Sequence, residues 1–122
     1  MSTTSIVLTA ALAVMLAVSA TLSLVRFPPV VENMAHVNLP ESLLTVIGVA
    51  KALGSAGLVV GLAVPAIGVA AAAGTVLFFI LAVGAHLRAR DWNVVPPLVF
   101  GSVAVAALVL LAGSVAPATP VA

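Results

Sequence analysis

Four stretches of almost uninterrupted apolar sequence constrain this chain more than anything else in it. They run from Ser5 to Val25, Ser42 to Val64, Ala66 to Leu87 and Pro97 to Ala116, and between them they hold one charged residue, Lys51. Each is close to the ~20 residues that a helix rising 1.5 Å per residue needs to cross about 30 Å of hydrocarbon. Strands of a membrane barrel alternate polar and apolar residues, which these runs do not, and their Ala- and Leu-rich make-up favours helix. Lipid offers no partner to a free backbone N–H or C=O, so helices, which pair these groups internally, are the consistent choice. The expectation is an all-α, four-transmembrane-helix bundle, with residues 1–122 forming a single domain.

Composition closes off the alternatives. Of 122 residues, 64% are hydrophobic and 6% charged, against roughly 25% charged in soluble domains. A soluble domain this small leaves much of its surface exposed and could not hide so much apolar area. That excludes a soluble enzyme, a disordered tail and a nucleic-acid binder, for which there is also no basic-aromatic patch. With no Cys in the chain, there is no disulfide, thiolate nucleophile or thiolate metal ligand. Electrons in any redox role belong to a cofactor or partner. With no Tyr and a single Trp, the interfacial aromatic belt is nearly missing. No HExxH, CxxC or close His pair is present, so no metal is expected. No glycine-rich phosphate loop follows a strand, and there is no nucleophile elbow.

The connections differ in kind. Arg26 to Glu41 is a polar loop containing Pro28, Pro29, Glu32, Asn33, His36 and Pro40. Within it, Val30 to His36 has the mixed character of a short helix lying in the interface or dipping into the bundle. Between the second and third spans only Pro65 marks a break, so these two must form a tight antiparallel hairpin. Arg88 to Asn93, closed by Pro96 and Pro97, joins the third to the fourth. The tail from Ala116 to Pro120 is expected to fray. Val18-Ser19-Ala20 resembles a signal-peptidase site, but no Lys or Arg precedes the first run and its apolar core is longer than a signal's, so it is expected to stay as a span.

Four spans place both termini on one side and the first and third loops on the other. Arg26, Arg88 and Arg90 all lie on the loop side, and the terminal side has no Lys or Arg. The positive-inside rule then puts the loops in the cytoplasm and the termini outside. Six of the seven charges gather on the loop side, and Lys51 stands alone within a span.

Small residues recur at helical spacing: Gly48, Gly54, Gly57 and Gly61 in the second span, Gly68 and Gly74 in the third, Gly101 in the fourth. Gly57 and Gly61 form a GxxxG step. In lipid, small residues let backbones approach and gain dispersion energy. Such a face serves either the packing of one bundle or an interface with another copy or a larger complex.

Lys51 is the most unusual residue, about ten residues or ~15 Å from Glu41 and too deep to snorkel comfortably. Insertion scales charge about 2.5–3.5 kcal/mol for a central lysine. Its helical neighbours Ile47, Gly48, Gly54 and Ser55 are mostly small or polar, so it is expected to face the bundle. It either anchors an anionic head group or a quinone oxygen, or relays protons, or it is structural, paired with a carboxylate such as Glu32 or Glu41 or kept as a neutral amine within the span. His86 continues the stripe of Phe79 and Ala82 near the loop end of the third span. It could hold a ligand or pass a proton, or simply bond to a loop at the interface. Glu41, at the start of the second span, meets the positive end of a helix dipole. Glu32 and His36, four apart, would share one face of the short helix. Arg88, Arg90 and Asp91 most simply mark the membrane surface. With Arg26, these groups could form one polar cluster over the bundle mouth, with Lys51 beneath it.

The chain resembles the DoxX-like family of small four-helix bacterial membrane proteins. The resemblance is carried by Lys51-Ala52-Leu53-Gly54-Ser55-Ala56-Gly57-Leu58, by Gly61 and Pro65, and by Ala71-Ala72-Ala73-Gly74 leading to Gly84-Ala85-His86-Leu87-Arg88 with Asp91 after. It implies a bacterial inner-membrane protein. Some relatives are associated with membrane redox complexes, including quinone-linked sulfur oxidation and oxidative-stress defence. It transfers no catalytic residue. Three readings follow. The first is a subunit of, or accessory to, a redox complex, holding a quinone or lipid near Lys51 and His86. The second is a structural or assembly subunit without ligand. The third is a small transporter, disfavoured because Ser5 to Val25 lacks the carboxylate and aromatics that proton-coupled export requires.

Overall fold

A computed structural model describes residues 1–115. It contains five helices: α1 (Thr3–Leu24), α2 (Pro28–His36), α3 (Leu43–Gly61), α4 (Pro65–Arg88) and α5 (Val95–Val115). All but α2 are long and apolar enough to cross a membrane, so the chain is a multi-pass, all-helical membrane protein. The expected end of the fourth span at Ala116, and the tail to Pro120, lie outside the described residues.

Prolines set the starts. Pro28 and Pro65 open α2 and α4, where the missing N–H would be unpaired anyway. Pro96 and Pro97 sit in the first turn of α5. Three stops on the loop side share another device. Arg26, Asn38 and Arg90 have φ of 56°, 59° and 56°, just past the ends of α1, α2 and α4. At α4, Arg90 N–H donates to the Leu87 carbonyl (3.1 Å) and Asp91 N–H to that of His86 (2.8 Å). This is a Schellman stop, which satisfies helix-end carbonyls at the cost of one left-handed residue. The sequence places Arg rather than Gly there, and a left-handed Cβ costs about 1–2 kcal/mol. Arg90→Gly is therefore expected to be neutral to stabilising by up to about 1 kcal/mol, and Arg90→Val to destabilise by about 1–2 kcal/mol. Thermal unfolding of the purified protein in mild detergent reads both.

Around the bundle, α1 packs on α3, α3 on α4, α4 on α5 and α5 back on α1. The centre is Leu12, Ala13, Leu16, Leu58, Ala72, Phe79, Ala104, Ala107 and Leu111. Phe79 stacks on Phe100 with ring centroids 4.9 Å apart. The hairpin of α3 and α4 is tight because Gly61 and Gly68 touch backbone to backbone: a Cβ on Gly68 would lie 3.0 Å from the Gly61 Cα. The outer faces are strongly apolar, with Val14, Leu53, Leu81 and Val109 each more than 60% exposed. Such faces suit lipid. The short helix expected at 30–36 exists and starts two residues earlier, at Pro28; it buries Met34 and leaves Glu32 and His36 exposed.

Candidate functional site

Lys51 lies on α3 where that helix meets both α1 and α4. Its Nζ donates to the Ser19 hydroxyl of α1 at 2.7 Å and stands 5.4 Å from the centre of the Phe78 ring on α4. Among the described residues it forms no ion pair, so neither Glu32 nor Glu41 is its partner. An ammonium has three N–H donors, and one of them has an acceptor here. One turn below, the Ser55 hydroxyl donates to the Ala13 carbonyl at 2.7 Å, a second polar stitch between α3 and α1.

Beside the amine, between α3 and α4, lies a groove of about 390 Å³ lined by Lys51, Gly54, Ala70, Gly74, Thr75 and Phe78, among others. Small residues make the hollow: a Cβ on Gly74 would meet nothing within 4 Å. Thr75 donates its hydroxyl to the Ala71 carbonyl of its own helix at 2.8 Å and so adds no free donor. Leu53 on the rim is 69% exposed. The groove thus opens on the lipid-facing side of the bundle, apolar except for one cation.

A second polar pair closes the loop end of α4. His86 is 6% exposed, and its Nδ1 faces the Ala82 carbonyl at 2.9 Å, so Nδ1 carries the hydrogen. Its Nε2 lies 3.8 Å from Asp91 Oδ2, an oxygen that is buried without a hydrogen-bond partner. The other carboxylate oxygen accepts from Asn93 N–H at 3.1 Å. The Schellman stop at Arg90 turns the chain so that Asp91 lies back over His86. Asp91, expected simply to mark the membrane surface, thus lies back against the end of α4 and faces His86. His86 bonds within its own helix on one side and faces the loop on the other.

The loop-side charges divide into separate pairs. Arg26 Nε meets Glu41 Oε1 at 3.5 Å, and Arg26 also donates to Thr45 Oγ1 at 3.1 Å. Ser42 is the N-cap of α3 and makes no side-chain capping bond, so Glu41, expected to serve the helix start, spends its carboxylate on Arg26. Glu32, His36, Arg88 and Arg90 are exposed and, among the described residues, form no ion pair. His86 does not line the Lys51 groove; on α4 it is eight residues beyond Phe78, about 12 Å along the axis.

The two kinds of pair differ in worth. Asp91→Ala removes the carboxylate that faces His86 and the acceptor of the Asn93 N–H, and is expected to cost about 1 kcal/mol of stability. Arg26→Ala or Glu41→Ala breaks a half-exposed pair and should cost less than about 1 kcal/mol. Unfolding midpoints of the three variants in one detergent give the order directly.

Ser19 and Phe78 are the residues that sequence reasoning missed; Asp91 was expected at the loop side but not against His86. Ser19 and Phe78 lie 32 and 27 positions from Lys51, and only the packing of three helices makes them its neighbours. Asp91 had a local signal in its spacing of five from His86, legible only once a left-handed residue between them is assumed.

A family model described as the DoxX-like family matches residues 7–111, most of the chain, in agreement with the resemblance carried by Lys51 to Leu58 and Gly84 to Arg88. No match was found among curated proteins or among solved structures.

Proposed function

Since the chain belongs to the DoxX-like family, we propose that it is a small subunit of, or accessory to, a redox complex in the bacterial inner membrane, and that it holds an amphiphile, a quinone or a lipid, in the groove beside Lys51. The observation that carries this reading is the groove itself: one cation, not paired with any described carboxylate, in an apolar hollow that opens toward lipid. A charge kept within a span against its cost is a functional candidate by default. Within this reading, His86 and Asp91 form a separate polar site near the bundle mouth, suited to passing a proton at the loop side. The loops face the cytoplasm and the termini face outward; a reporter fused to the C-terminus that is active only in the cytoplasm would reverse that orientation.

The test is purification in mild detergent followed by mass spectrometry of what comes with the protein. A membrane redox protein and a bound quinone or lipid are expected, with the small molecule lost in Lys51→Met and the protein partner kept. Recovery of neither overturns the reading. A structural or assembly role is the alternative, and the hydrogen bonds that join α3 to α1, from Lys51 to Ser19 and from Ser55 to the Ala13 carbonyl, favour it. Under that role Lys51→Met would leave co-purifying molecules unchanged.

A further inference from the structure

We propose that the groove between α3 and α4 takes a single-chain amphiphile with a carboxylate head, of the class of long-chain fatty acids, its head paired with Lys51. This rests on the reading of the groove as a ligand site and narrows its ligand.

Charge is the first argument. Lys51 is the one lysine of the chain, and no described carboxylate lies within ion-pair distance of it. Ser19 offers one oxygen and Phe78 a ring face; neither neutralises the cation. A neutral carbonyl, such as a quinone's, would accept a hydrogen bond and leave the charge standing. A carboxylate accepts from the two N–H groups still free and cancels the charge, and such charge-assisted bonds are about twice as strong as neutral ones. Carrying a carboxylate into hydrocarbon is costly in isolation, but here it meets a cation already there.

Depth and shape are the second. Lys51 lies eight residues inside the loop-side end of α3, about 12 Å along the helix, in a hydrocarbon core about 30 Å thick. The phosphate of a two-chain lipid rides at the membrane surface with a bulky hydrated head; a carboxylate is small enough to sink. Below the amine, Gly54, Ala70 and Gly74 leave a smooth apolar trough with no second polar head to satisfy. Leu53, Ala70 and Gly74 are exposed on its lipid side, so a chain can slide in from the bilayer without entering the core.

The experiment uses the full chain, delipidated in a neutral detergent and offered four probes: oleate, methyl oleate, a decyl-chain benzoquinone and phosphatidylglycerol. Retention is counted after gel filtration, and a ¹³C label on the oleate carboxyl reports its surroundings by NMR. Oleate is expected to bind at least about tenfold tighter than its methyl ester, a difference of about 1.4 kcal/mol. Lys51→Met should lose at least about tenfold for oleate, and Lys51→Arg should keep most of the binding. Gly74→Leu fills the trough at a position where an added Cβ meets nothing, so it should fold normally and still lose oleate. Equal retention of acid and ester, oleate binding unchanged in Lys51→Met, or phosphatidylglycerol outcompeting oleate would overturn the proposal. Quinone retained through Lys51 with oleate excluded would also overturn it while leaving the broader reading of the groove intact. If no probe is retained through Lys51, both fall together.

Discussion

Gly61→Ala is expected to loosen the α3–α4 hairpin and lower the unfolding free energy by about 2 kcal/mol or more, the largest loss from adding a single methyl group to this protein. The new Cβ would lie 2.8 Å from the backbone nitrogen of Gly68 and collide with its Cα. Neither atom can rotate away as a side-chain tip could, so the helices themselves must part. In lipid that separation is serious, because dispersion between closely approaching backbones is what holds spans together in place of a hydrophobic drive. Alanine's better helix propensity, about 1 kcal/mol over glycine, works the other way and is already included. The other glycines give an ordered control. At Gly57 a Cβ meets the Ala71 Cβ at 2.8 Å, a rigid but smaller obstacle. At Gly48 it meets Leu24 Cγ and Cδ2, on a side chain 43% exposed that can swing aside, and the Ala20 carbonyl oxygen at 3.3 Å, which cannot. At Gly54 the nearest atoms are 3.5 Å away, and at Gly74 there are none within 4 Å. Alanine should therefore cost most at Gly61, less at Gly57 and Gly48, and nothing at Gly54 or Gly74. Denaturing-detergent titrations followed by circular dichroism would show this order. A Gly61→Ala protein as stable as the parent would mean that the helices do not approach this closely.

Lys51→Met is expected to raise the stability of the ligand-free protein by about 1–2 kcal/mol. Insertion scales set the cost of a central lysine at about 2.5–3.5 kcal/mol. Against it stand a hydrogen bond between spans, worth on average about 0.6 kcal/mol by double-mutant cycles, and a cation–π contact of about 0.5–2 kcal/mol. These offset the cost only partly. Methionine matches the stem and keeps the packing against Phe78, whereas Lys51→Ala leaves a cavity and should gain less. A residue retained against stability is the pattern of a site rather than of a scaffold. If Lys51→Met instead destabilised the protein by more than about 1 kcal/mol, the bond to Ser19 would be the reason for the lysine, and the structural role would be preferred.

The spans, the hairpin and the short helix after Arg26 were legible because each rests on local physics. A run of about 20 apolar residues has one stable form in a bilayer, Pro65 permits a helix to begin but not to continue through it, and Val30 to His36 alternates faces at helical spacing. The grouping of polar residues was legible only in part. Lys51 stood out by its cost alone. The expected single cluster over the bundle mouth is, in the structure, two pairs, Arg26 with Glu41 and His86 with Asp91, beside several exposed charges. Side chains a few ångströms long reach only what the helix ends bring to them, and left-handed residues at Arg26 and Arg90 redirect the chain at both turns.

By itself, then, the sequence determined the solvent, the number of spans and the membrane face that carries the charges, since hydropathy and run length act residue by residue. Tertiary structure alone decided what Lys51 touches. Ser19 and Phe78 come from two other helices, and which face each helix turns inward is settled by how the small residues of α3 and α4 let backbones meet, a property of pairs of helices that no single run contains.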